Sequence, residues 1–281
     1  MTSKDQAPAE KDRASGRAGR DLRAAITVGL SLVALVLASL FWIKDLFVVV
    51  VAAALVVAAI EITRAVATAG IKVPLIPVLV GGFTMQFVAF YDGMDTAAAV
   101  MALTVIATMA WRLRDGADGF LRDATAGIFL LSYLFLMGTF VQRMLAEDDG
   151  QWRIVAFILV TISSDIGGYA AGVLFGKHPM APTISPKKSW EGFTGSMIAS
   201  VAAGIGIVVF ALDGPWWAGL VLGIAGVCFA TLGDLCESLI KRDVGIKDMG
   251  DLLPGHGGLM DRLDSLIAVA PVAYLVMYLL V

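Results

Sequence analysis

The amino-acid sequence predicts an all-α protein: a polytopic integral membrane helical bundle of about nine transmembrane helices with its N-terminus in the cytoplasm. Composition is the first reason. Of 281 residues, 58% are hydrophobic and only 16% are charged, against roughly 25% charged in a soluble domain. The second reason is grouping, because the apolar residues form runs close to the ~20 residues that cross ~30 Å of hydrocarbon. The third is the placement of positive charge. With the basic tail inside and the runs alternating, only Lys44, Arg143 and Arg153 of the 21 Lys and Arg residues fall outside. Positive-inside topology demands such a bias.

In chain order, residues 1–23 are polar throughout and read as a disordered cytoplasmic tail. The apolar run that follows is long enough to span, which argues against a cleaved signal peptide. Candidate helices lie at about 24–43, 45–66, 73–91, 95–111, 123–142, 152–176, 193–212, 216–240 and 265–281. The chain therefore divides into the tail, a set of N-terminal membrane helices over 24–150, and a region over 151–281. The last region carries two polar inserts, 176–192 and 241–264, on the side assigned to the cytoplasm. Cys228 and Cys236 share one apolar run and form neither a disulfide framework nor a zinc spacing. Gly168, Gly172 and Gly176 recur at every fourth position. Their spacing lets helices approach closely, either within the bundle or between two copies of the chain in a homodimer.

Acidic groups inside the apolar runs point to chemistry. Asp165 falls mid-run, where insertion costs roughly 2.5–3.5 kcal/mol unless a proton, a base or a metal compensates. Asp234, Glu237, Ser238 and Lys241 are spaced to share one helix face, and Glu237 with Lys241 has the spacing of an ion pair. Glu61 and Arg64 are also spaced as a local pair. Asp261 and Asp264, three apart, share a face where the last helix begins. A linker of about 20 residues containing LPGHGG joins two helices that must run antiparallel, so Asp234 and Asp261 are expected to be neighbours. Facing carboxylates in low dielectric repel unless a cation lies between them, and all-oxygen ligation suits Mg²⁺. His256 either ligates a metal, contacts phosphate or organises the turn.

The other insert, GKHPMAPTISPKKSWEG, sets Lys187 and Lys188 in tandem between stiffening prolines and Trp190, which suits an interfacial anchor. The lysines serve either anionic lipid or a specific anion. Metal with fixed Lys and Arg is the usual machinery of phosphoryl and nucleotidyl transfer. GVLFGKH lacks the spacing and the Ser or Thr of a phosphate loop, and no zinc-protease or serine-hydrolase motif is present.

The second insert reads Ser238-x2-Lys241-Arg242-x4-Lys247-Asp248-x-Gly250-x2-Leu253-Pro254-x-His256-Gly257-Gly258-x2-Asp261-Arg262-x-Asp264. This resembles the signature of the phosphatidate cytidylyltransferases, also called CDP-diacylglycerol synthases. SPKKSWEG resembles the family's S-P-K-K-T-x-E-G, with Ser189 in place of Thr. SDIGGY resembles its D-T-x-A-Y, with Ile166 and Gly168 differing. The resemblance covers roughly 160–265 and makes 151–281 the catalytic membrane region. It implies transfer of the cytidylyl group of CTP to phosphatidate, giving CDP-diacylglycerol and pyrophosphate for phospholipid synthesis. It also implies Mg²⁺ as one or two cations and no nucleic-acid partner.

On that reading Asp234 and Asp261, with Asp264 and Asp165, hold the cations, and Asp234, Lys241, Arg242 and Asp261 carry the chemistry. Ser185, Lys187, Lys188, Ser238, Lys247, Asp248, His256, Gly257, Gly258 and Arg262 bind the substrates. The expected setting is a bacterial-type plasma membrane with the site on the cytoplasmic side. The alternatives are a CTP-dependent lipid-alcohol kinase and a membrane transporter.

Overall fold

A computed structural model describes residues 29–31, 33–250 and 257–281. The predicted tail over 1–23 and His256 lie outside the described residues. Every predicted apolar run is helical in its described part: α1 (Gly29–Trp42), α2 (Lys44–Ala67), α3 (Leu75–Tyr91), α4 (Met94–Leu113), α5 (Phe120–Leu130) with α6 (Met137–Ala146), α7 (Gly150–Phe175), α8 (Trp190–Ala211), α9 (Trp216–Asp243) and α10 (Met260–Leu280). A π turn, Leu131–Leu136, joins α5 to α6 in a continuous rod. Among the described residues, seven rods are long and apolar enough to cross a membrane. The other two, α1 and α3, are shorter. The 17 residues of α3 reach only about 26 Å at 1.5 Å per residue. The membrane bundle is as predicted, with seven such spans where the sequence suggests about nine.

Large apolar side chains cover the outside, Phe210 at 87% exposure and Trp42 at 81%. Such a surface suits lipid and not water. The π turn widens its rod, and Gln86 of α3 meets the disturbed backbone there, Nε2 donating to the Phe135 carbonyl at 2.8 Å. At one bundle end, Arg112 of α4 and Asp123 of α5 form a buried pair at 3.0 Å, and Asp123 also accepts from the Lys72 amide. This ties the loop after α2 to the α4–α5 turn.

Two helix seams position the site. Along α7–α8, Gly168 of the predicted glycines packs on α8, where a Cβ would lie 2.4 Å from Ser196 Oγ, whereas Gly172 makes ordinary contacts and Gly176 is exposed at the helix end. The closest backbone approach is at Gly167, where a Cβ would lie 2.5 Å from the Gly195 carbonyl. Along α9–α10, Gly233 admits close approach, since a Cβ there would lie 2.6 Å from both Ala268 Cβ and the Asp264 carbonyl.

Helix α10 begins five residues before the predicted 265, so Asp261 and Asp264 lie in its first turns. The first insert departs from all-α expectation. It forms an antiparallel hairpin, β1 (Pro179–Ala181) with β2 (Ser185–Ser189). Glu191 fastens its base, accepting from the Lys177 and His178 amides and meeting His178 Nδ1 at 2.5 Å.

Candidate active site

Helices end where their backbone groups can be satisfied, and the ends gathered here bring the two polar inserts together. Ser189 closes β2 and caps α8, its hydroxyl accepting from the Gly192 amide at 3.1 Å. A Thr would present the same hydroxyl, so the departure from the family's Thr costs nothing visible. The strand that Ser189 ends carries Lys187 and Lys188 to the cavity wall. Lys188 Nζ lies 2.5 Å from Asp234 Oδ2, which joins the hairpin to the α9 carboxylate 46 positions later in sequence.

Around this contact lies a cavity of about 350 Å³. Its walls include Asp165 and Gly172 of α7, Ser185, Lys187 and Lys188 of the hairpin, and Asp234 of α9. Asp165 opens onto the cavity, which relieves the cost of placing a carboxylate in an apolar helix. Asp165, Asp234 and Asp264 sense one another's charge, and Lys188 and Arg262 reach Asp165 electrostatically. Ser238 donates weakly to Asp234 Oδ1 at 3.4 Å.

A second polar group stands one turn nearer the end of α9. Lys241 Nζ meets Glu237 Oε2 as predicted and reaches Asp261 Oδ1 at 2.9 Å. Asp261 Oδ2 further accepts from the Met249 amide at 3.1 Å and the Gly258 amide at 3.0 Å. The antiparallel register therefore sets Asp264 level with Asp234, whereas Asp261 stands with Glu237 and Lys241. The expected meeting of Asp234 and Asp261 is displaced by one helical turn, because α9 packs on α10 through Gly233 beside the Asp264 backbone.

Of the remaining predicted residues, Arg242 is exposed in the last turn of α9, Lys247 and Asp248 are exposed beyond that helix, and Arg262 is exposed on α10. Gly257 adopts a φ of +81°, which a side chain would strain.

The donors at these two groups fit a hard cation. Glu237 is 1% exposed and its carboxyl lies against that of Asp261, a crowding of acidic groups that a proton or a cation relieves. Among the described residues, no three His, Cys, Asp or Glu side chains already converge on one ion-sized point. Any cation held here would complete its shell with water or ligand oxygens, as Mg²⁺ does.

Glu61 of α2 is the residue that sequence reading misplaces. It does not serve as a local partner of Arg64. It lies against the start of α10, accepting from the Leu259 amide at 3.0 Å and the Met260 amide at 2.8 Å. Its burial inside an apolar helix was the available signal. On the far side of α10, an apolar cavity of about 160 Å³ is lined by Leu263, Leu266, Phe47 and Met137.

The chain is similar in sequence to known proteins. Residues 23–280 match the profile of the Cytidylyltransferase family. A phosphatidate cytidylyltransferase of Mycobacterium bovis is 43% identical over 279 residues, covering 95% of this chain and 91% of that one. One of Mycobacterium leprae is 43% identical over 281 residues, covering 94% and 90%. One of Haemophilus influenzae is 35% identical over 173 residues, 60% of this chain and 52% of that one.

Proposed function

The chain belongs to the cytidylyltransferase family, and from that premise we propose that it makes CDP-diacylglycerol and pyrophosphate from CTP and phosphatidate. The observation that carries the reading is the contact of Lys188 with Asp234. It gathers cations from one insert and carboxylates from α7 and α9 around one polar cavity in an apolar bundle. A nucleotide needs the first surroundings and a lipid the second, and the apolar cavity across α10 suits acyl methylenes.

The second pKa of a phosphate monoester lies near ~6, so phosphatidate is largely dianionic at neutral pH and needs little base assistance. Its phosphate oxygen attacks the α-phosphorus of CTP. The bond from that phosphorus to the oxygen bridging to the β-phosphate breaks, and pyrophosphate leaves with the electron pair. Lys187 and Lys188 draw the triphosphate into the cavity and offset the repulsion between two anions. Lys241 and Arg242 neutralise the leaving pyrophosphate and the lipid phosphate. Ser185, Ser238, Lys247, Asp248, Arg262 and the Gly257–Gly258 backbone border the substrates, with His256 assigned beside them.

We assign Asp165, Asp234 and Asp264 as oxygen donors to one Mg²⁺. Asp261, with Glu237 beside it, is assigned to a second. Bound there, the cations would supply charge neutralisation and Lewis acidity at the phosphates. We assign this end of the bundle to the cytoplasm, a reading that the basic bias of the inserts supports.

The test is purified protein in detergent with phosphatidate, Mg²⁺ and CTP labelled at the α- or γ-phosphate, omitting each component in turn. The α-label is expected in lipid and the γ-label in pyrophosphate, with turnover lost when chelator exceeds Mg²⁺. A γ-label in lipid with CDP as product, when a lipid alcohol replaces phosphatidate, would establish the kinase instead. Flux across sealed vesicles without turnover would establish the transporter.

A further inference from the structure

Helix α10 starts without a cap of its own: Leu259 stands at the N-cap and makes no side-chain capping bond. The first N–H groups of any helix need acceptors from elsewhere. Here they come from the other half of the chain. Glu61, only 5% exposed, receives the Leu259 amide on Oε1 and the Met260 amide on Oε2. Negative charge at that terminus is also favoured by the helix dipole. The insert is shaped to admit this carboxylate, since a Cβ on Gly250 would lie 2.8 Å from Glu61 Oε1 and one on Gly258 would lie 2.9 Å from Oε2. The turn that Glu61 grips carries Asp261, Arg262 and Asp264.

We propose that Glu61 is a positioning residue for the reaction: a clasp from the N-terminal half that fixes the first turn of α10, and so sets its acidic and basic side chains against α9. The proposal rests on the cytidylyl-transfer reading above. Glu61 itself touches neither the cavity nor a reacting atom. Misplacing reacting groups by an ångström can cost about 100-fold in rate, so a clasp need not be near the chemistry to govern it.

The test uses the full-length protein in detergent. E61Q keeps the shape and one acceptor oxygen but turns an NH₂ toward an amide donor. Its kcat is expected to fall about 10–100-fold. KM for both substrates should change less than kcat, within about threefold, because the substrate contacts of α7 and the hairpin are not on the turn that Glu61 grips.

L259P deletes one of the two donors at a φ of −68° that proline accepts, and a smaller fall in kcat is expected. The double variant should be no slower than E61Q, whereas independent sites would multiply their effects. Hydrogen exchange at Leu259 and Met260 should quicken in E61Q.

Wild-type kcat in folded E61Q, with only its thermal stability lowered, would reduce Glu61 to a structural group and overturn the proposal. Multiplicative losses in the double variant, or wild-type exchange protection, would do the same. Should E61Q fail to fold, an unchanged kcat in L259P would overturn it. A wild-type protein without turnover would sink the assigned reaction, and exchange would still decide the clasp.

Discussion

The two charged groups on α9 use the same residue types to opposite ends. At the cavity, Asp234 is 36% exposed and pairs with Lys188 of the hairpin. One turn on, Asp261 is 13% exposed and is held by Lys241 and two backbone amides. The first group is open to a ligand and costs the fold little. The second is embedded in the architecture of the insert. A carboxylate's neighbours, more than its identity, decide how far its removal disturbs the fold as well as the chemistry.

Four substitutions sharpen that contrast. Asp234→Asn should lower kcat about 100–1000-fold, the loss expected from one electrostatic contact in a transition state. Its thermal midpoint should match that of the parent. A lowered midpoint would place Asp234 among the structural charges. Asp261→Asn should also lose most activity, and in addition about 2 kcal/mol of stability, as a charged hydrogen-bonding group is removed from Lys241 and two amides. Denaturation in detergent measures this, and unchanged stability would erase the distinction between the groups.

Lys188→Ala should raise KM for CTP about tenfold, the worth of one charge-assisted contact, and initial-rate kinetics would show it. Ser189→Thr should change kcat less than about twofold, because both residues cap a helix similarly. A large loss there would mean that the hydroxyl acts on substrate.

Much of this was legible in sequence because membrane helices announce themselves by length and greasiness. All nine apolar runs are helical where described, and the i, i+4 pairing of Glu237 with Lys241 is as spacing predicts. The hairpin was not legible, since its three- and five-residue strands are too short and polar for a period of two to register. Nor was the register between α9 and α10, which depends on Gly233 admitting the Asp264 backbone. Glu61 escaped for a different reason. Its partners lie 198 and 199 positions away, while Arg64 offers a plausible local partner at helical spacing.

The glycine contacts between α7 and α8 also constrain how a lipid molecule can reach the phosphate chemistry. Where Gly167 meets the Gly195 carbonyl, the two backbones leave no gap for a methylene tail to slide through. A lipid diffusing in the bilayer therefore has to reach the cavity by a route that does not pass between the helices at that crossing.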